Sequence, residues 1–189
     1  NIRKDFVTLH VGAGTFKPVK SETMQEHEMH AEYFVVSKET INNIIGNLDK
    51  TIVAVGTTSL RTIESLYWLG MMKSGNRSEE PGVSQWLPYE TEAEFISPKD
   101  ALNNLLYWMT INNQDRIISK TQIIIAPGYE FKIVKGLVTN FHQPQSTLLL
   151  LVSAFIGKGW KEVYDYALKN NFRFLSYGDG SLLWNSAKD

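Results

Sequence analysis

Apolar and polar positions along the chain follow two alternating periods, one typical of strands and one typical of helices. Short apolar runs rich in β-branched residues predict strands at 6–11, 51–55, 122–126, 136–140 and 174–177. Apolar residues spaced three and four apart predict helices at 37–48, 57–69, 147–156 and 160–170, the first capped by Ser37. Because the two kinds of element alternate, the pattern predicts an α/β fold, with a mainly parallel sheet and helices on both faces.

Composition is compatible with a single domain spanning residues 1–189. A chain of this length with 43% hydrophobic residues can bury one sizeable core. It contains no cysteine, which excludes disulfides and cysteine nucleophiles and is compatible with a cytoplasmic location. It does not start with Met, so we expect it to begin inside a longer protein. Its longest apolar run, 148–156, is too short to span a bilayer, and no membrane contact is expected.

The formal net charge is −1, which limits how the chain could bind nucleic acid. A domain that binds a phosphate backbone usually has an excess of Lys and Arg. Any basic surface must therefore be local, or lie on a part of the protein outside this sequence. The candidates are Lys17, Lys20, Arg61, Lys132 and Lys135. The alternative is that these five are ordinary solvated charges.

Several predicted strands end in small and polar residues. The segments are VTLHVGAGTF at 7–16, IVAVGTTSLRTIES at 52–65, TNFHQPQST at 139–147 and FLSYGDG at 174–180. Because open α/β sheets bind ligands at the carboxyl ends of their strands, these segments predict a small-molecule pocket at one sheet edge.

The segment 139–147 is the most informative of the four. It presents an amide, an imidazole and two hydroxyls where a strand gives way to an apolar helix, with Pro144 ending the strand. Ser146 or Thr147 can cap that helix, and the N–H groups of its first turn attract anionic or electron-rich atoms. The alternative is a well-capped core helix without a ligand.

The sequence resembles the S-adenosylmethionine:tRNA ribosyltransferase-isomerases of the queuosine pathway. The matching segments are LHVGAGTFKPV at 9–19, HEMHAEYFVV at 27–36, VAVGTTSLRTIES at 53–65, APGYEFKIVKGLVTNFHQPQSTLLLLVSAF at 126–155 and FRFLSYGDG at 172–180. They occur in the family's order and cover about the C-terminal half of such an enzyme. The family's N-terminal portion, which includes a small β-barrel domain, has no counterpart in this sequence.

The resemblance implies an enzyme that moves the ribosyl group of S-adenosylmethionine onto 7-aminomethyl-7-deazaguanine in tRNA. The transferred group is isomerised to give epoxyqueuosine, and adenine and methionine are released. S-adenosylmethionine is then a co-substrate, so no cofactor is implied, and the partners are tRNA and this co-substrate. A monomer is expected.

Residues 71–116 depart from the regular alternation and look longer than the matching connection in many members of that family. They contain a turn-rich stretch at 74–85, an acidic stretch at 90–94 and a helical pattern at 98–109. We interpret them as a lineage insertion packed on the domain surface, with Trp86 and Trp108 as anchors. Partner contact is the alternative.

Ribosyl transfer requires general acids and bases, for which histidine is suited because its pKa lies near neutrality. His142 is the first candidate, since it lies at a strand-to-helix crossover beside Asn140. The resemblance favours an acid/base or substrate-orienting role for His30 and Glu32, and Asp179, at the end of the last predicted strand, could accept from an amine or a ribose hydroxyl. Their alternatives are a structural hydrogen-bond cluster for His30 and Glu32, and a capped turn for Asp179.

His27, His30 and Glu32 form an H-x-x-H-x-E pattern, which differs from the H-E-x-x-H spacing of zinc proteases. We expect no metal there. The segment from Gly56 to Glu64 also lacks the lysine of a Walker loop and the glycine spacing of a dinucleotide fingerprint. Its alternative is a capped helix in which Arg61 and Glu64 pair at i,i+3.

The remaining site candidates are assigned to binding S-adenosylmethionine or the tRNA base. They are His10, Gly14, Thr15, Phe16, His27, Gly56, Thr57, Thr58, Ser59, Arg61, Asn140, Phe141, Ser146, Thr147, Tyr177 and Gly178. His10 could equally be a structural histidine. Phe16, Phe141, Tyr177 and Tyr129 could stack on a base, although aromatic residues more often belong to a core.

Two other functions stay open. One is a binding-only module that holds S-adenosylmethionine but is inactive without the missing N-terminal part. The other is a phosphate-ester hydrolase that uses the His/Glu cluster with a metal.

Overall fold

The computed structural model describes residues 2–10, 12, 28–73 and 82–185, which form two small sheets and six α-helices. Gly14, Thr15, Phe16, Lys17, Lys20 and His27 lie outside the described residues. The strands are β1 (Thr8–His10), β2 (Glu32–Ser37), β3 (Val53–Val55), β4 (Gly82–Val83), β5 (Arg116–Thr121), β6 (Gly136–Asn140) and β7 (Gly180–Trp184). The helices are α1 (Lys38–Ile45), α2 (Thr57–Lys73), α3 (Leu87–Glu90), α4 (Pro98–Ile111), α5 (Thr147–Ile156) and α6 (Trp160–Lys169), with a 3-10 turn at Gly157–Gly159.

Both sheets are mixed, so the α/β class is confirmed but the expectation of a mainly parallel sheet is wrong. The four-stranded sheet has the order β1-β2-β5-β4 and the three-stranded sheet the order β3-β6-β7. Only β3–β6 and β4–β5 pair in parallel among the five described pairings. The three antiparallel pairs are β1–β2, β2–β5 and β6–β7.

Helices cover one face of each sheet and leave the other face exposed in the described part of the chain. Ile118 of the first sheet and Val55 and Leu182 of the second have exposed side chains, whereas their strand neighbours Ile117, Ala54 and Leu183 are buried. The prediction of helices on both faces is therefore wrong for these strands. The buried faces of both sheets contribute to one core cluster.

Two predicted strands are absent from the described structure. Residues 122–126 are irregular, with the three isoleucines at 123–125 buried. The N–H groups of Gln122 and Ile124 donate to the carbonyls of Val83 and Gln85. Residues 174–177 form a bend, in which Leu175 has a φ of 69°. In contrast, the predictions for β6 and α5 are confirmed to the residue, and Ser37 caps α1 by accepting a hydrogen bond from the Thr40 N–H at 3.0 Å.

The region 71–116 contributes to the core through α4, so the expectation of a surface decoration is wrong for this helix. Its residues Ala101, Leu102, Leu105 and Met109 are fully buried. Gly70 of α2 crosses α4 so closely that a Cβ there would collide with the Ala101 carbonyl. The expected anchors Trp86 and Trp108 are only half-buried. The origin of the region as a lineage insertion stays a prediction.

A buried carboxylate ties the loop before β6 to α2. Glu64 is fully buried and its two oxygens accept four hydrogen bonds. The donors are the Tyr129 hydroxyl and the backbone N–H groups of Lys132, Ile133 and Val134, all at 2.9 Å. Burial raises the pKa of the Glu64 carboxyl, and the four donors act against this shift. The alternative in which Arg61 and Glu64 pair on one helix is therefore wrong, since Glu64 accepts its hydrogen bonds from this loop.

Candidate functional site

The parallel pairing of β3 with β6 brings two of the predicted polar strand ends to one edge. Val55 lies opposite Val138, and the Gly56 N–H donates to the Val138 carbonyl at 2.8 Å. The chain then enters α2 directly at Thr57, and β6 ends at Asn140. The first N–H groups of α2, with the hydroxyls of Thr57, Thr58 and Ser59, therefore lie beside the end of β6.

Gly56 makes this tight strand-to-helix connection possible because its φ is 92°, a conformation that costs other residues energy. Gly56→Ala is expected to lower the free energy of unfolding by about 1–2 kcal/mol. The strain alone causes this loss, since the nearest atom to an added Cβ, Ser59 Oγ, is 3.9 Å away. Urea unfolding measures it. Gly46→Ala is the matched control, because Gly46 has a helical φ of −68° and the change should be neutral or stabilising. Equal stabilities for the two variants would contradict the prediction.

The loop before β7 closes over the end of β6. Asn140 pairs with Gly180, and its Nδ2 donates to the carbonyls of Gly178 at 3.3 Å and Asp179 at 3.5 Å. A Cβ on Gly178 would collide with the Arg173 carbonyl, so glycine is required for this close approach. Tyr177, at the tip of the loop, is 97% exposed. The structure thus brings Asn140, Gly178 and Asp179 together, although the loop precedes β7 and does not follow a strand at 174–177.

Asp179 holds the same loop in shape. Its Oδ2 accepts from the Arg173 N–H at 2.7 Å, and its Oδ1 from Arg173 Nη2 at 3.2 Å. The hydrogen bonds from the Arg173 backbone and side chain lower the pKa of Asp179. The carboxylate is therefore ionised near neutral pH and acts as an acceptor, which suits binding an amine or a hydroxyl better than donating a proton.

His142 lies just beyond β6, but its ring is buried. Nε2 is 2.9 Å from the Thr139 hydroxyl, and the backbone N–H donates to the Tyr164 hydroxyl at 3.0 Å. Burial lowers the pKa of His142 to about 4. The imidazole is therefore neutral at physiological pH, so it can accept a proton or orient a neighbour, but it is not a resting proton donor. Phe141 is also buried, packed edge-on against Tyr164 and Phe172.

Because the pKa of His142 is low in the folded state, part of the free energy of unfolding is lost at acid pH. Because the unfolded imidazole titrates near 6.5, the unfolded state binds more protons between about pH 4 and pH 6.5. Stability should be full above this window and fall as the pH drops through it. Urea unfolding at several pH values measures the slope, and His142→Asn should remove most of it. An imidazole NMR titration of His142 with a midpoint near 6.5 would contradict the assignment.

Glu32 and Arg61 form an ion pair between β2 and α2. Arg61 Nη1 lies 2.7 Å from Glu32 Oε2, Arg61 Nε donates to the Ile123 carbonyl at 3.0 Å, and both side chains are almost fully buried. Burial lowers the pKa of Arg61 and the Glu32 charge opposes this shift. In the described part of the chain, Arg61 Nη2 has no hydrogen-bond partner. The pair lies one helical turn beyond Thr57, close to the polar edge.

Other site candidates are separated or already engaged. His10 is exposed on the outer face of the four-stranded sheet, whereas Glu32 points to its inner face, and His30 is exposed before β2. Ser146 caps α5 by accepting from the Leu149 N–H at 3.2 Å, and Thr147 is buried. For these two hydroxyls the structure therefore matches the capped-core-helix alternative. Gly56, Thr57, Asn140, Gly178 and Asp179 form the edge itself.

Two tyrosines that lie next to site candidates were not found from the sequence. Tyr164 of α6 bonds the backbone of His142, and Tyr33, the neighbour of Glu32, is a prominent exposed aromatic residue. No local motif marks Tyr164, since it lies 22 positions from His142. Tyr33 could have been found from the alternation of β2. Glu32, Phe34 and Val36 are buried, so Tyr33 between them must point to the opposite, exposed face.

The described residues contain no group of three or more His, Cys, Asp or Glu side chains arranged to hold a metal ion. His27 of the H-x-x-H-x-E pattern lies outside them. Within the same residues, no helix has the length and apolar character needed to cross a bilayer.

The fold and the edge define a class: a mixed α/β domain in which the connection after β3, the end of β6 and the loop before β7 meet at one polar edge. The chain belongs to the family described as queuosine biosynthesis protein, whose sequence profile it matches over residues 1–183. The resemblance inferred from the sequence is thereby confirmed.

Named relatives agree with this assignment. The chain is 41% identical to the S-adenosylmethionine:tRNA ribosyltransferase-isomerase of Rickettsia prowazekii, over 95% of its own length and 37% of the relative's. It is 38% identical to the enzyme of that name from Halothermothrix orenii, over 94% of its own length and 41% of the relative's. The crystal structure of S-adenosylmethionine tRNA ribosyltransferase from Thermotoga maritima matches 80% of the chain and 40% of that protein, with 34% identity and a TM-score of 0.51. The chain thus spans about two fifths of the length of these proteins.

Proposed function

We propose that the chain supplies the S-adenosylmethionine site of a tRNA ribosyltransferase-isomerase. The observation that supports this most strongly is the family match over residues 1–183, which includes every strand end of the polar edge. The reaction would move the ribosyl group onto 7-aminomethyl-7-deazaguanine in tRNA, isomerise it to the epoxide and release adenine and methionine. tRNA would be the partner, the protein would act in the cytoplasm, and S-adenosylmethionine would be a co-substrate in an enzyme without a cofactor.

The start of α2 would bind the anionic part of S-adenosylmethionine. The methionine carboxylate is attracted by the unpaired N–H groups of a helix N-terminus and by its dipole. The hydroxyls of Thr57, Thr58 and Ser59 add donors at the same place, and Arg61 lies one turn further along α2. Asn140 and Asp179, across the edge, would hydrogen-bond to the ribose hydroxyls.

Proton transfers would be divided between buried and exposed histidines. The transfer needs a base near the sulfonium, an acid for departing adenine and a base for the attacking amine. His142 is neutral at physiological pH, because burial lowers its pKa to about 4, and it would serve as an acceptor or orienting group. His30 is exposed and could approach a bound substrate, and Glu32 follows it two positions along the chain.

Calorimetry of S-adenosylmethionine binding to this chain tests the proposal. Wild-type protein should bind S-adenosylmethionine, and Thr57→Val should weaken binding about tenfold, since one hydrogen bond to a charged group contributes about 1.5–3 kcal/mol. Thr110→Val on α4, where the hydroxyl is exposed and donates to the Leu106 carbonyl within the same helix, is the control. No binding by the wild-type chain would contradict the proposal. Adenine release with tRNA separates it from the binding-only alternative, for which binding occurs without release.

A further inference from the structure

The outer face of the four-stranded sheet combines exposed aromatic, apolar and basic side chains. We define the outer face as the outward positions of β1, β2 and β5 plus Phe6, which continues the alternation of β1. The strand positions form three cross-strand rows: Thr8–Val35–Ile118, His10–Tyr33–Lys120 and the shorter Ser37–Arg116. Tyr33 is 53%, Ile118 74% and Phe6 79% exposed.

Charge on the outer face has one sign. Arg116 and Lys120 are basic, and none of the positions in the three rows is Asp or Glu. This contrasts with the chain as a whole, whose formal net charge is −1. The exposed face of the three-stranded sheet differs, because no Lys or Arg is paired with its outward residues. These residues are Val53, Val55, Leu182 and Trp184. A basic face with accessible rings fits a polyanion, whereas the uncharged face does not.

We propose that the outer face binds unpaired nucleotides of RNA, with a base stacked on Tyr33 and phosphates held by Arg116 and Lys120. A sheet that offers an aromatic ring among cations is suited to single-stranded RNA, because every base has a face for stacking and every nucleotide a phosphate. Lys120 and His10 lie directly opposite Tyr33, so an ammonium group and an imidazole flank the stacked base. The inference deepens the proposed function, on which it rests, by naming the surface that meets the RNA.

The position of Tyr33 connects the outer face to the polar edge. Tyr33 follows Glu32, whose carboxylate meets Arg61 on the other side of the sheet at 2.7 Å. His30 is exposed just before β2. The row that contains Tyr33 is therefore at the end of the sheet nearest the start of α2. Nucleotides stacked there would precede or follow a base that enters the site.

Fluorescence anisotropy with a labelled single-stranded RNA of about ten nucleotides tests the inference on the 189-residue chain. Tyr33→Thr, which keeps a strand-favouring residue, should raise the Kd for this RNA about tenfold or more. Arg116→Gln with Lys120→Gln should reduce the slope of log K against log salt by about 0.7 for each phosphate that the protein no longer neutralises. Tyr107→Gln, at a tyrosine 68% exposed on α4, is the matched control and should bind like wild type.

The outcomes separate this inference from the proposed function. Unchanged RNA affinity in Tyr33→Thr and in the double charge variant would overturn it, while S-adenosylmethionine binding by calorimetry would still support the site at α2. Weaker RNA binding by Tyr33→Thr with undiminished binding of S-adenosylmethionine would support both. If Tyr33→Thr instead alters only the sedimentation coefficient, the outer face is a protein interface and the inference is wrong. A duplex RNA of equal length that binds as tightly would also overturn it.

Discussion

Glu64→Gln is expected to lower the free energy of unfolding by about 3 kcal/mol. The Glu64 carboxylate accepts two hydrogen bonds on each oxygen, and all four donors are buried or half-buried. An amide has only one oxygen, so its NH₂ group must face donors. If it faces Ile133 and Val134, two backbone N–H groups lose their acceptor. If it faces Tyr129, the hydroxyl can rotate to accept, but the Lys132 N–H remains unpaired, and each such buried donor costs about 1–3 kcal/mol.

Thermal and urea unfolding measure this loss, and a neighbouring residue provides the control. Glu130→Gln makes the same chemical change two positions from Lys132, but the Glu130 side chain is 80% exposed and forms only a 3.1 Å ion pair with Lys132. An exposed pair of this kind contributes at most about 1 kcal/mol. Similar stability in Glu64→Gln and wild type would mean that the carboxyl is protonated in the folded state.

The elements that the sequence predicts well are those with both an internal pattern and a marked end. β6 and α5 were correct to the residue because the apolar run 136–138 ends in Thr139 and Asn140, Pro144 prevents continuation, and Ser146 caps the next helix. The strand predicted at 122–126 was wrong because three consecutive isoleucines have no alternation. They are buried in irregular backbone instead, while β5, with a cleaner alternation at 116–121, was missed.

The hydrogen-bond partners of Arg61 and Glu64 come from distant parts of the chain, so the local sequence pattern could not predict them. The spacing of Arg61 and Glu64 is compatible with a pair on one helix, yet each side chain is buried and meets a distant segment. Arg61 pairs with Glu32, 29 positions away, and Glu64 with backbone N–H groups up to 70 positions away. Conversely, the convergence of the loops after β3 and β6 was predictable, because parallel strands place their carboxyl ends together.

Removing one partner of the Glu32–Arg61 pair is expected to cost about 3–5 kcal/mol of unfolding free energy. Glu32→Gln leaves the buried Arg61 guanidinium without its counter-charge, and Arg61→Met takes the guanidinium away from the buried Glu32 carboxylate. The double variant removes both charges, and methionine can fill the space of the arginine stem. Its stability should therefore recover most of the loss, giving a large favourable coupling in a double-mutant cycle measured by urea unfolding.

The double variant also shows whether the Glu32–Arg61 pair is only structural or whether Arg61 binds the ligand. If Arg61 only joins α2 to β2, the recovered protein should bind S-adenosylmethionine like wild type. If Arg61 holds the ligand through its unpaired Nη2, the double variant should fold but bind at least tenfold more weakly, because a hydrogen bond to a charged group is removed. Arg173→Gln removes the exposed 3.2 Å pair with Asp179 and should change stability by less than about 1 kcal/mol. A double variant as unstable as the single ones would contradict the assigned coupling, because the loss would then arise from packing around α2 instead of from unpaired charge.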